Sequence, residues 1–345
     1  MPFISNNNLS IDQLIDANLD RAREGLRVIE DWCRFVIKRK DLVIMLKDFR
    51  HQLGGQHKRK YKKARSITSD PGKGLNHPSQ LDRDSSIQIV LANFARVQEA
   101  LRVLEEFSRG GNNQLSTISS KIRYEIYEIE KEVLITSEKH ELKSLLKKSK
   151  LCLITRHDAN LIEIVSHAVK AGVTMVQFRS KEDEDSKKIE QAKELANICK
   201  EHNALFIVND RVDIAIEVDA DGVHLGQEDF PLASARNLLG KDKLIGLSTH
   251  SIAQIKEATR QGCDYIGIGP VFTTNSKPNK KPIGLKLLKE AAKETYLPCF
   301  AIGGINNQNI DDVLANGVNR VAVIDAIMNS TDSSNASKQL LEKLL

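Results

Sequence analysis

Eight short apolar runs recur between residues 151 and 324, and most are followed by a stretch of helical periodicity. The runs are Leu151–Ile154, Val173–Gln177, Leu205–Val208, Gly222–Leu225, Leu244–Leu247, Tyr265–Ile268, Cys299–Ile302 and Val321–Ile324. Amphipathic stretches such as Leu161–Ala171, Lys187–His202 and Ile252–Gln261 separate them. Strands that alternate with helices over short connections build a parallel sheet. Eight such units predict a (β/α)8 TIM barrel with its active site at the C-terminal strand ends. A doubly wound open sheet is the alternative, and it would rarely use eight strands.

The predicted strand ends are polar in a patterned way. Strand 2 ends in Gln177, Arg179 and Lys181, strand 3 in Asn209 and Asp210, and strand 4 leads to Asp229. Strand 5 ends in Ser248, strand 6 leads into Thr274, Asn275, Ser276 and Lys277, strand 7 ends in Gly303-Gly304, and strand 8 in Ile324-Asp325. Asp210 and Asp229 are candidate Mg2+ ligands, because Mg2+ takes hard oxygen donors and needs only one or two carboxylates plus substrate phosphates. The bland alternative is that each caps the helix behind it. With Arg179, Lys181 and Lys277 as cations, the set suits a diphosphate chelated by Mg2+. Gly303-Gly304 and the strand 8 end suit a second phosphate, held by backbone N–H groups. His224 reads as a packing residue.

The first 140 residues have a different texture. They read as all-α, with helical patterns near 41–53, 85–108 and 118–146 and a stripe at Leu19, Ala22, Leu26, Ile29 and Cys33. Asp16 or Asn18 is the expected cap of that first helix. An internal repeat is present: residues 17–31 recur at 92–106, charges included. Arg21, Glu24, Arg27, Glu30 and Arg34 match Arg96, Glu99, Arg102, Glu105 and Arg109. The matched faces could form an anion pocket, since Arg forks suit phosphate, or pair with acids between helices. Between the repeats a basic loop, His57 to Arg65, precedes the turn signal Asp70-Pro71-Gly72-Lys73-Gly74. That signal lacks the spacing of a Walker A loop. The Lys-rich stretch 139–150 is the expected joint, giving a helical domain at 1–140 and a barrel at 141–345.

Composition excludes several classes. Residues 1–150 hold 28 basic and 20 acidic side chains, and residues 151–345 hold 23 and 26. The basic excess therefore belongs to the helical part, where it suits an anionic partner or a solvated surface. Tyr61 is the only aromatic in the basic run, which argues against nucleic acid. No apolar run approaches the roughly 18 residues of a membrane span. The N-terminus shows no secretory signal. The five scattered cysteines fit neither disulfides nor zinc, and point to a cytoplasmic protein.

Five motifs now stand in order on successive predicted strands: Gln-x-Arg-x-Lys (177–181), Val-Asn-Asp (208–210), Asp-Gly-x-His-x-Gly-Gln-x-Asp (221–229), Gly-x-Gly-Pro-x-x-x-Thr-x-x-Lys (267–277) and Ile-Gly-Gly-Ile (302–305). Together they resemble the thiamine phosphate synthase family over about residues 145–345. The resemblance implies a transferase of thiamine biosynthesis that joins a hydroxymethylpyrimidine diphosphate to a thiazole phosphate, or its carboxylate, and releases diphosphate. Carried over by position, Gln177, Arg179, Lys181, Asn209, Ser248 and Lys277 would hold the pyrimidine diphosphate. Asp210 and Asp229 would hold Mg2+, while Thr274, Asn275, Ser276, Gly304 and the Ile324-Asp325 backbone would hold the thiazole phosphate. Arg179, Lys181, Lys277 and Ser248 are the catalytic candidates, acting on a pyrimidine carbocation and the departing diphosphate. A homo-oligomer is a family-level expectation. The family usually has a small hydroxyl residue where Asp325 stands. A carboxylate there repels phosphate unless its side chain turns away.

Residues 10–130 resemble a helical domain found attached to such synthases, in some cases proposed to phosphorylate hydroxymethylpyrimidine phosphate. That resemblance would place phosphates on Arg21, Arg27, Arg96 and Arg102, with Glu24 or Glu99 orienting a metal or hydroxyl, although no phosphate loop of a known kinase type is visible. Competing readings of the barrel are a thiazole tautomerase-like relative, a sugar-phosphate lyase or epimerase, and a non-catalytic regulatory phosphate binder.

Overall fold

The computed structural model describes residues 3–65, 85–181, 184–274 and 281–345. The chain divides into two compact units, Met1–Ser137 and Glu138–Leu345.

The first unit is helical: α1 (Phe3–Phe35), α2 (Lys40–Gly55), α3 (Arg59–Ala64), α4 (Ser86–Ser108) and the start of α5 (Asn113–Lys148). The stripe Leu19, Ala22, Leu26, Ile29 and Cys33 is fully buried. At Gly25 the two repeated helices come close, because a Cβ there would lie 2.6 Å from Val97 Cγ2. Asp16 and Asn18 do not cap α1. Buried Ile15 and half-buried Ile11 continue the apolar stripe backwards, so the helix starts earlier, and Asn18 donates instead to the Leu14 carbonyl at 2.9 Å. The basic stretch 57–65 is not a plain loop either. Its middle forms α3, held by Tyr61, which is 1% exposed. The turn signal at 70–74 lies outside the described residues.

Among the described residues of the second unit, eight parallel strands close a barrel. They are β1 (Leu151–Ile154), β2 (Met175–Phe178), β3 (Leu205–Asn209), β4 (Gly222–Leu225), β5 (Leu244–Thr249), β6 (Tyr265–Ile268), β7 (Cys299–Ile302) and β8 (Val321–Val323). They pair in chain order, and β8 returns to β1 with Leu151 opposite Val321. Both strand faces are buried, as expected of a parallel sheet covered by helices. One face, including Leu153, Val176, Phe206, Val208 and Val223, packs in the larger cluster with the surrounding helices. The other, including Cys152, Met175, Leu205, Leu244, Tyr265 and Phe300, fills the interior. Leu142, Leu145 and Leu146 join that interior cluster. They sit on the last turns of α5, directly before β1, so the Lys-rich stretch expected to be a joint is helical to Lys148. Its three leucines, at i, i+3 and i+4, share one face. The five cysteines are free, and burial pushes the Cys33 and Cys263 thiols up to about 12, which leaves them unreactive. Among the described residues no helix is long and apolar enough to cross a membrane.

Candidate active site

A cavity of about 420 Å3 opens at the C-terminal strand ends. Gln177, Arg179, Asn209, Ser248, Thr274, Gly304, Ile324 and Asp325, drawn from six of the eight strand ends, all line it. Lys181, Asp210 and Asp229 stand outside the lining, and Asn275, Ser276 and Lys277 lie outside the described residues.

Each side chain is held by its own local structure. The Arg179 backbone is fastened at both ends to buried Thr155, whose Oγ1 accepts the Arg179 N–H at 2.9 Å and donates to its carbonyl at 3.2 Å. Asp210 adopts the left-handed region, φ 65°, and its N–H donates to the His224 carbonyl at 2.9 Å. A non-glycine residue there costs on the order of 1–2 kcal/mol, which the surrounding strands must offset. Asp229 accepts the Gly226 N–H on Oδ2 at 2.6 Å. Neither Asp is the helix cap that the bland alternative supposed: Arg211 and Pro231 hold the N-cap positions behind them. Two carboxylates beyond adjacent strands are hard oxygen donors, which fits the coordination Mg2+ accepts from a protein.

Sequence reasoning missed the polar interior between β4, β5 and β6. His224, read as packing, lines the cavity. One of its ring nitrogens, Nδ1, lies 3.1 Å from the Tyr265 hydroxyl, and the other, Nε2, lies 3.0 Å from Ser248 Oγ. Burial holds the Tyr265 phenol well above its ordinary value, so it stays protonated, and Gln177 hydrogen-bonds to it. One donor order satisfies every group: Gln177 to Tyr265, Tyr265 to Nδ1, Nε2–H to Ser248, and the Ser248 hydroxyl onward into the cavity. Gly246 makes room for this arrangement, since a Cβ there would lie 2.2 Å from Tyr265 Cζ. His250 and Asn306 also line the cavity. The signal for His224 was present: alternation along Gly-Val-His-Leu sets it opposite Val223, which faces the helices.

At the far end Gly303 and Gly304 take φ 103° and 67°. A Cβ on Gly304 would sit 2.4 Å from the Thr273 carbonyl, so the loops after β6 and β7 touch backbone to backbone. Asp325 opens the short helix Asp325–Met328. Its Oδ1 lies 3.7 Å from Arg156 Nη1, and Arg156 also donates to Asn329. Arg156, the second residue after β1, is a further residue that the sequence reading passed over.

In the helical unit the two glutamates that the repeat buries, Glu30 and Glu105, are ion-paired. Buried Glu30 meets Arg27 at 3.5 Å and Arg50 at 2.9 Å, and buried Glu105 meets Arg102 at 3.4 Å, Arg109 at 3.3 Å and Arg123 at 3.0 Å. Arg21, Glu24, Arg96 and Glu99 are exposed.

Residues 151–327 match the family model described as thiamine monophosphate synthase, and residues 13–132 match the ThiD2 family. A thiamine-phosphate synthase of Prochlorococcus marinus is 57% identical over 344 residues, covering 100% of this chain and 99% of that protein. One from a Synechococcus species is 50% identical over 349 residues, again covering 100% and 99%. Among solved structures, thiamine phosphate pyrophosphorylase from Pyrococcus furiosus aligns with 58% of this chain and 97% of its own, at 39% identity and a TM-score of 0.54.

Proposed function

The chain belongs to the thiamine-phosphate synthase family, and we propose that its barrel joins a hydroxymethylpyrimidine diphosphate to a thiazole phosphate at the cavity above β1–β8. The observation that carries this reading is the gathering of Gln177, Arg179, Asn209, Ser248, Thr274 and Gly304 around one cavity. Gln177, Arg179, Lys181, Asn209, Ser248 and Lys277 hold the pyrimidine diphosphate. Thr274, Asn275, Ser276, Gly304 and the Ile324-Asp325 backbone hold the thiazole phosphate. Asp325 turns its carboxylate toward Arg156, which offsets the repulsion that a bare carboxylate would offer a phosphate.

The bond between the pyrimidine methylene and the diphosphate oxygen breaks, and its electron pair leaves with the diphosphate. The thiazole nitrogen supplies the new pair. Arg179, Lys181 and Lys277 meet the charge developing on the leaving group. Mg2+, held by Asp210 and Asp229, would supply further positive charge there. The Tyr265–His224–Ser248 chain fixes the Ser248 hydroxyl against the substrate, so the protein contributes positioning and electrostatics.

Asp210→Ala and Asp229→Ala test the metal assignment at fixed Mg2+. Each is expected to lower turnover by about two orders of magnitude, the scale for losing one transition-state stabiliser. Near-normal turnover in both variants would overturn it.

We further infer that residues 1–140 act as a hydroxymethylpyrimidine-phosphate kinase, feeding the barrel at 141–345; the ThiD2 match favours this reading. The full chain, given hydroxymethylpyrimidine phosphate, thiazole phosphate, ATP and Mg2+, should then form thiamine phosphate and consume ATP. A chain that makes thiamine phosphate only from ready-made diphosphate rules the kinase out.

A further inference from the structure

The 75-residue repeat is broken along one face of α1. There Asp12, Asp16 and Asp20 follow at i, i+4 and i+8, while the equivalent positions of α4 carry Ile87, Leu91 and Ala95. Of the charges that do repeat, Glu30 and Glu105 are buried in ion pairs within the helical packing. The unrepeated acids pair differently: Asp12 accepts from Lys60 at 2.7 Å, while Asp16 and Asp20 meet His57 and Arg65.

Both His57 and Asp16 are nearly sealed from solvent, their side chains 4% and 3% exposed, and Asp20 is 31% exposed. Each carboxylate gives Oδ2 to Arg65, at 2.6 Å from Nε for Asp16 and in a short contact with Nη2 for Asp20. Each turns Oδ1 to the imidazole. Asp16 Oδ1 lies 2.6 Å from His57 Nε2, a hydrogen bond that places a proton on Nε2. His57 Nδ1 is buried and finds no hydrogen-bond partner among the described residues. It faces Asp20 Oδ1 at 3.7 Å.

With the proton on Nε2, a nitrogen lone pair confronts a carboxylate oxygen. A cation resolves that conflict. The 3.7 Å gap is close to the roughly 3.4 Å that two ligands span across a tetrahedral ion with bonds near 2.1 Å. A metal-bound histidine ordinarily donates its other N–H to a carboxylate, which is the place Asp16 occupies. All three ligand atoms lie within 4.8 Å of one another.

We propose that His57 Nδ1 and Asp20 Oδ1 hold a divalent first-row transition metal ion, such as Mn2+ or Zn2+, with Asp16 orienting the ring. Mixed imidazole and carboxylate donors favour that class over Ca2+. Two protein ligands leave open positions for water or a phosphate oxygen. The site is separate from the barrel's carboxylates and does not depend on the kinase reading.

The test titrates the full chain with Mn2+, without diphosphate, and follows free Mn2+ by electron paramagnetic resonance. Any barrel site is shared by every variant, so only differences count. Asp20→Asn and His57→Ala should each abolish one binding event. Asp16→Asn should weaken it by roughly 10–100-fold, the scale for an outer-shell partner. Arg65→Gln should tighten it, because a neighbouring positive charge is removed. Co2+ bound to the wild type should show ligand-field absorption that His57→Ala loses. The single tryptophan, Trp32, donates to Ser137 within the helical unit, so its fluorescence reports whether each variant folds. Should His57→Ala fail to fold, the near-isosteric Asp20→Asn carries the test. Identical Mn2+ isotherms for wild type and folded Asp20→Asn overturn the proposal. So does nitrogen-15 resonance showing both His57 nitrogens protonated with Mn2+ replaced by diamagnetic Zn2+ in excess.

Discussion

Gly246→Ala separates packing from chemistry in the barrel. The new methyl would lie 2.2 Å from Tyr265 Cζ and 2.5 Å from both Cε atoms. The ring has little room to retreat. It is 2% exposed, edge-on to Phe300 at 5.8 Å and tilted against His224 at 5.4 Å. Overpacking of this kind costs about 1–3 kcal/mol. Displacing the ring also breaks the 3.1 Å contact to His224 Nδ1 and leaves a buried acceptor unmade, about another 1–3 kcal/mol. Even the lower sum, about 2 kcal/mol, lowers the Tm of a barrel this size by roughly 4–8 °C. Scanning calorimetry reads that loss, and steady-state kinetics should show kcat falling with it, since His224 no longer holds Ser248. The double variant Gly246→Ala/Tyr265→Leu removes the ring and so the clash. It should regain part of the Tm, while kcat stays low because His224 still lacks its phenol partner. A wild-type Tm for Gly246→Ala refutes the packing argument. Recovery of kcat together with Tm in the double variant refutes the assignment of a positioning role to Tyr265.

Asp325→Ser should cost under about 1 kcal/mol, because its ion pair with Arg156 is 38% and 41% exposed and such pairs contribute little; it should change KM for the thiazole phosphate and leave KM for the pyrimidine diphosphate alone, as initial-rate measurements would reveal. Burial alone would raise the Glu105 carboxyl, but Arg123, Arg102 and Arg109 outweigh it and hold the group below the ordinary range. Its contribution to the helical unit is therefore present above the unfolded value of about 4.3 and is lost as pH falls through the lower folded value. Trp32 fluorescence against pH should show that acid transition, and Glu105→Gln should flatten it.

The barrel was legible because its strands are buried on both faces and read as unbroken apolar runs between amphipathic stretches. The strand-end residues were legible because polar groups at such ends have little structural reason to be there. What escaped was everything fixed by contacts between distant segments. His224 meets Ser248 and Tyr265 from strands 24 and 41 residues away, and no local period announces that. Thr155 and Arg156 look like ordinary loop residues until β2 and the helix after β8 are set beside them. The Arg/Glu repeat could be read as a pocket or as pairing. The partners that bury Glu30 and Glu105, Arg50 and Arg123, come from α2 and α5, outside the repeated segment. Within Lys-rich 139–150 the helical pattern was legible as far as residue 146, but the purpose of its three leucines is set by a cavity that only the closed barrel creates.

Those three leucines also bear on how the barrel can be inherited or excised. The thiamine monophosphate synthase model begins at Leu151, the first residue of β1. A polypeptide cut there would carry all eight strands and every strand-end residue, yet it would lack the floor of its own interior. Leu146 is 2% exposed, and losing a buried leucine of that kind costs on the order of 2–5 kcal/mol. Cys152, Met175, Leu205 and Leu244 would then have water where the leucines lie. The physical start of the barrel is upstream of its first strand, in the last turns of a helix whose leucines stand among lysines.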